Sequence, residues 1–171
     1  MLADDPMLSV RSAGPAVRQP MRVILDSELR TPLAARIFEN MAERGVWIFT
    51  TSADAQRIAA LEARGAKVER IGTEGSVDVR LVLQALGKAA VNEVLVEAGA
   101  TLAGALVEQQ CLDELLLYVA PMILGDRGRG LLKMPEPPSL AQARRFEIIE
   151  TIAVGADQRI RLRRDTSCLR E

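Results

Sequence analysis

Val94-Leu95-Val96-Glu97-Ala98-Gly99-Ala100-Thr101-Leu102-Ala103-Gly104-Ala105-Leu106 is the stretch on which the fold reading turns. A short β-branched run stops at an acid. A small, glycine-containing turn follows, and helix formers then recur at helical spacing. The pattern predicts a strand over 92–96 feeding a helix over 101–110, with almost no side-chain bulk between them. Open amides at a helix start attract anions, commonly phosphate, and small residues let a phosphate reach the backbone. Glu97 stands at the strand end, where α/β folds place ligand chemistry. The stretch therefore suggests binding of a phosphorylated small molecule or nucleotide cofactor. It matches neither common nucleotide fingerprint: Ala105-Leu106 replaces the Lys and Ser/Thr of a P-loop, and no G-x-G-x-x-G follows a strand. Structural turn and phosphate site both stay open at this point.

Outward from this stretch, strands and helices alternate. Val23-Ile24-Leu25 predicts a strand ending at Asp26-Ser27, and Thr31-Pro32 opens a short helical stretch through Ile37 and Phe38. Val46–Thr50 predicts the second strand. Ser52 is the expected cap of a helix over 53–64 that Gly65 ends. Lys67–Ile71 alternates as a strand. Ser76 is the expected cap of a helix carrying Val79, Val82, Leu83 and Leu86, with Gly87 near its end. Asp113–Ala120 is an apolar strand stopped by Pro121, and 125–139 a Gly- and Pro-rich loop. Arg145–Ala153 and Gln158–Arg163 alternate as strands joined by a turn at 154–157. The order implies an α/β fold: a mostly parallel central sheet flanked by helices, with an antiparallel C-terminal hairpin. Residues 12–20 read as a loop.

Composition narrows the function. The chain has 171 residues, a single-domain length, with 49% hydrophobic and 26% charged residues. No apolar run reaches the roughly 20 residues of a transmembrane helix, and the acidic start is no signal peptide, so a cytoplasmic location is expected. Net charge is −1, from 22 basic and 23 acidic residues, and aromatics are 3%, a poor balance for a nucleic-acid binder. The densest basic stretch, Arg159, Arg161, Arg163 and Arg164, places three arginines on one side of a strand, read as a solvated outer face. There is no histidine. That excludes Ser-His-Asp and Cys-His catalysis within this chain and leaves a poor metal ligand set. Cys111 reads as packing and Cys168 as a free tail thiol; a cytoplasmic disulfide is not expected.

Other residues carry weaker signals. A hydroxyl at Ser27, just after a strand, suits a phosphate or ribose, or a turn. Asp4-Asp5-Pro6 with a following Arg11 reads as a solvated turn, or as an acid beside a guanidinium clamp for a phosphate. Gly125-Asp126-Arg127-Gly128-Arg129-Gly130 reads as a solvated loop or an anion nest.

Taken in order, Leu2-Ala3-Asp4-Asp5-Pro6-x-Leu8-x-Val10-Arg11, Ile24-Leu25-Asp26-Ser27, Val94–Leu102 and Asp113-Glu114-Leu115 through Pro121 and Gly125 form a joint pattern. By that pattern the chain resembles, from Leu2 to about Arg163, the C-terminal reductase domain of the bifunctional riboflavin-biosynthesis deaminase-reductase. The resemblance implies a dihydrofolate-reductase-like fold. It also implies NADPH-dependent reduction of 5-amino-6-(5-phosphoribosylamino)uracil to the ribitylamino 5′-phosphate, by direct hydride transfer and without a metal. It makes Leu8, Arg11 and Glu97 substrate contacts, with Arg11 on the sugar phosphate. It makes Asp4, Ser27 and the loop Gly99, Ala100, Thr101, Leu102, Ala103, Gly104 and Ala105 cofactor contacts. Asp4 and Glu97 are candidate proton donors, as is water. Ala98 replaces a common glycine, and Met122 a common lysine.

The resemblance also implies an earlier strand, a following segment and a helix ahead of the Asp4-Asp5-Pro6 turn, preceded by a zinc deaminase domain; this chain starts at the turn. The expectation is a truncated reductase domain over 1–164 with a polar tail at 165–171, weak or inactive alone, its strand edges exposed. A homodimer is expected, and possible association with a separate or fused deaminase. Two alternatives stand: a related reductase for another pyrimidine or pterin, and a non-catalytic assembly module that keeps the fold.

Overall fold

The computed structural model describes residues 4–11, 19–42, 45–73, 75–137 and 139–164. The chain forms two compact units, Met1–Val91 and Asn92–Glu171. Most of the expected 12–20 loop, Leu2, Ala3, and the tail 165–171 with Cys168 lie outside the described residues.

The first unit holds a parallel sheet of β1 (Arg22–Leu25), β2 (Val46–Thr50) and β3 (Lys67–Arg70), in the order β1-β2-β3. All five residues of β2 are buried, as a near-continuous apolar run predicts for a parallel strand covered on both faces. Val46 and Ile48 pack with Ile24, Phe38 and Leu61 on one face; Trp47 and Phe49 pack with Val77, Val82 and Leu86 on the other. Helix α1 (Ala55–Ala63) supplies Leu61 and helix α2 (Val79–Lys88) supplies Val82 and Leu86. The helices thus cover opposite faces, as the β/α alternation implies.

Local details depart from the sequence reading. The helix caps are Asp54 and Asp78, not Ser52 and Ser76. The Asp54 carboxylate accepts from the Arg57 amide (2.9 Å), and that of Asp78 from the Arg80 and Leu81 amides (2.8 and 3.2 Å). A carboxylate beside the helix start also favours the dipole, so it outcompetes a nearby serine. The Ser52 hydroxyl accepts instead from the Asp54 amide (3.2 Å). The helical stretch expected after Pro32 is only a turn and one 3₁₀ turn at Arg36–Phe38.

The second unit holds helix α3 (Ala100–Glu108) and an antiparallel sheet of β4 (Glu114–Val119), β5 (Phe146–Val154) and β6 (Asp157–Arg164). Its order is β4-β6-β5, so the last strand is central. The turn at 155–156 uses Gly155 at φ +63°, a left-handed position that suits glycine. The strand expected over 92–96 is not formed. Residues 91–99 are irregular, and Val94, Leu95 and Val96 are 41%, 76% and 39% exposed. A β-run becomes a strand only when a neighbour pairs its backbone, and no described strand pairs with this one.

Arg159, Arg161 and Arg163 share a face of β6, as alternation predicts, but that face is charge-matched. Arg159 pairs with Glu150 of β5, while Arg161 and Arg163 converge on Glu114 of β4 at 2.8 and 3.0 Å. The two guanidiniums pull the Glu114 pKa down from 4.5 to about 2. A carboxylate whose folded pKa lies below its unfolded value stabilises the fold above the unfolded value, and that contribution fades as pH falls toward the folded one. Thermal melts from pH 6 to 2 should therefore show Glu114→Gln losing less stability than the parent between about pH 4.5 and 2. Parallel curves would mean that the pairs are too solvated to contribute.

Candidate cofactor and substrate site

In the first unit, candidate residues gather at the carboxyl ends of β1 and β2. Asp26 is nearly buried, and its Oδ2 accepts from the amide and hydroxyl of Thr31 (2.7 and 2.6 Å). The 26–31 loop is further held by Arg57, whose guanidinium donates to the Leu29 and Thr31 carbonyls. Asp26 is thereby a loop-fixing residue. Ser27, next to it, is half-buried; its Oγ accepts from the Val77 amide (3.3 Å). The hydroxyls of Thr50 and Thr51 both donate to the Ser27 carbonyl at 3.1 Å. A hydroxyl-rich edge, Ser27 with Thr51 and Ser52, thus stands where open parallel sheets bind ligands. Sequence reasoning singled out Ser27 alone; the signal for the others is the run Thr50-Thr51-Ser52 directly after a strand.

The Asp4–Arg11 segment is anchored at both ends. Asp5 accepts from the Arg36 amide (3.0 Å), and the Gln19 side chain exchanges two hydrogen bonds with the Val10 backbone (3.1 and 3.2 Å). Leu8 packs against the Ile24–Phe38 core cluster. Asp5 and Leu8 hold φ of +39° and +47°, a costly region for non-glycine residues that persists only where surroundings impose it. This bent segment leaves Asp4 and Arg11 exposed. Arg11 forms no ion pair among the described residues.

In the second unit, Glu97 is exposed and α3 opens at Gly99. No side chain caps that end and no acid lies in its first turn, whereas Asp54 and Asp78 cap α1 and α2. The space ahead of Gly99 is open: a Cβ there would meet nothing within 4 Å. The helix start fits an anion on the amides of Ala100, Thr101 and Leu102. Gly104 has a different reason for being glycine. The Lys133 backbone crosses it, with its amide donating to the Ala100 carbonyl at 2.9 Å. Leu102, Ala103 and Ala105 are half-buried in α3. Gly125–Gly130 is an exposed turn. Among the described residues no group of His, Cys, Asp or Glu could hold a metal, and no helix is long and apolar enough to cross a membrane.

Parallel β/α layers with a separate antiparallel sheet define an α/β protein of the dihydrofolate-reductase-like class. RibD of Acinetobacter baumannii has this fold, with a TM-score of 0.82 and 34% identity over 96% of this chain and 44% of that one. The chain belongs to the RibD C-terminal domain family, which residues 1–157 match. Escherichia coli "Riboflavin biosynthesis protein RibD" is 34% identical over 168 residues, covering 92% of this chain and 44% of that protein. The chain thus spans less than half the length of those relatives. It spans more of "2,5-diamino-6-ribosylamino-4(3H)-pyrimidinone 5′-phosphate reductase" of Methanothermobacter thermautotrophicus, at 33% identity over 92% of this chain and 72% of that protein.

Proposed function

We propose that this chain is a reductase of riboflavin biosynthesis that uses NADPH to reduce the open-chain ribosyl group of 5-amino-6-(5-phosphoribosylamino)uracil. The observation that carries this reading is the open start of α3 in a chain of the RibD C-terminal domain family. The amides of Ala100–Leu102 suit a cofactor phosphate, and the hydroxyl edge at Ser27 suits a cofactor ribose or phosphate. NADPH supplies the hydride when bound. The protein's part is orientation and charge. Arg11 holds the sugar 5′-phosphate, Leu8 and Glu97 border the substrate, and Asp4 or Glu97 holds the proton that accompanies reduction. The proposed setting is cytoplasmic, with a separate or fused deaminase supplying the substrate.

A second substrate is favoured by the archaeal relatives, whose name carries an amino group where the uracil has an oxygen. Both substrates share the ribosylamino 5′-phosphate, so the Arg11 prediction holds for either. Arg11→Gln should lower kcat/KM by roughly 100-fold, the loss of about 3 kcal/mol of charge-assisted bonding. It should have little effect on the dephosphorylated substrate. Steady-state NADPH oxidation with each pyrimidine decides between them. Oxidation with neither, alongside intact folding, would favour the non-catalytic module. Cofactor binding can be followed by energy transfer from Trp47, the single tryptophan.

The proposed assembly is a homodimer. The outer strands of the antiparallel sheet expose Leu116, Tyr118 and Val119 on β4 and Ile148 and Val154 on β5, edges suited to a second copy. Light scattering across a concentration series tests it: a monomer at every concentration rules it out.

A further inference from the structure

A cavity of about 240 Å³ lies wholly within the second unit, at the end of α3 opposite Gly99. Its floor includes Val107, Leu112 and Phe146, and its rim carries Arg144, Arg145 and Arg164 with no acidic side chain among the lining residues. Two of the arginines are partly engaged: Arg164 donates to the Gln110 carbonyl (2.7 Å) and Arg144 weakly to that of Glu108 (3.4 Å). Capping the last turn of α3 accounts for those contacts. It does not account for the rest. Arg145 forms no hydrogen bond or ion pair among the described residues. The Arg164 Nε–H is buried and has no described partner, a cost that an acceptor would remove.

We propose that this cavity is a second anion site, distinct from the phosphate sites of the proposed reaction, and that it takes a small phosphate monoester with an apolar or aromatic body. Three guanidiniums without a balancing acid favour a dianion over a single carboxylate, and their planar forks match phosphate oxygens. The apolar floor takes the body of the ligand. The volume sits below the usual range for drug-sized ligands, roughly 300–1,000 Å³, which limits the body to about one ring.

Phenyl phosphate is the probe, titrated calorimetrically into the full chain with saturating NADPH present. Saturable binding is expected, weakened at least tenfold in Arg144→Gln/Arg145→Gln and unchanged in Arg11→Gln. Phenylacetate should bind more weakly than phenyl phosphate. Arg145→Gln alone, at a residue without described partners, should still weaken binding if the double variant unfolds. Three results would each overturn the proposal: no saturable binding, equal binding by parent and Arg145→Gln, or loss of binding in Arg11→Gln only. The proposal does not depend on the reductase assignment, since a chain inactive on both pyrimidines would still bind the probe.

Discussion

Gly104→Ala should destabilise the second unit by about 3 kcal/mol, the upper end of what overpacking usually costs. A Cβ at this position would lie 2.8 Å from the Lys133 carbonyl carbon and 3.1 Å from its nitrogen, and closer still to its oxygen. The intruder is backbone, so no side chain can rotate aside. Either α3 shifts or the 133 crossing lifts, and lifting it breaks the Lys133-to-Ala100 hydrogen bond. Gly99→Ala is the matched comparison. Gly99 has φ −75° and open space around its missing Cβ, so alanine there should change stability by less than about 0.5 kcal/mol. Its effect should fall on NADPH instead, as a raised Kd, if the cofactor phosphate approaches that backbone. Urea melts and cofactor titrations on the two variants separate a packing glycine from a ligand glycine. A stable Gly104→Ala protein would refute the crossing, and unchanged NADPH affinity in Gly99→Ala would count against close phosphate approach.

The second large effect is expected at Arg22, whose side chain is 1% exposed in β1. Its guanidinium donates to the Ile37 and Glu39 carbonyls and to the Met41 sulfur. It ties the connection between β1 and β2 to the sheet. Arg22→Ala leaves those carbonyls without this donor and opens a cavity, a combined loss of about 4 kcal/mol. Arg22→Met keeps most of the aliphatic stem and should recover about half of that. Trp47, in the adjacent strand, reports the transition by fluorescence. Equal urea midpoints for Arg22→Met and the parent would show that the guanidinium bonds contribute nothing net.

Much of the framework was readable because it rests on periodicity. Val46–Thr50 reads as a strand and forms one, and the alternation in 145–153 and 158–163 reads as the hairpin that β5 and β6 form. Asp54 and Asp78 take the caps that the sequence offers equally to nearby serines, for a clear electrostatic reason. The helix ends were half legible. Gly65 at φ +89° marks the end of α1 as expected, but Ala90 and Gln110 hold the same left-handed position after α2 and α3 at +58° and +56°. In each case an amide just beyond bonds back to the last turn, Val91 to Leu86 (3.1 Å) and Cys111 to Leu106 (2.8 Å). Nothing in an alanine or a glutamine announces that geometry. The run Val94-Leu95-Val96 misled for a different reason: its composition specifies what it can become, while pairing depends on a neighbour.

The residues that the sequence offers for the site fall in two units. Asp4, Leu8, Arg11 and Ser27 are found in one unit, and Glu97 with the Gly99–Ala105 stretch in the other. The anchors of the Asp4–Arg11 bend were not legible, since Gln19 and Arg36 reach it through contacts that spacing alone does not encode. Nor was the packing role of Gly104, because Lys133 is distant from it in sequence.

The central place of β6 makes the C-terminal end of the described chain a keystone. β4 and β5 do not touch as neighbours; each is laddered only through the strand that arrives last. A ribosome has therefore released residues 114–154 before either strand can find its hydrogen-bonding partner, and β4 must wait across the whole 120–156 interval. Loss of residues 157–164 would not trim an edge from this sheet but would leave no sheet at all.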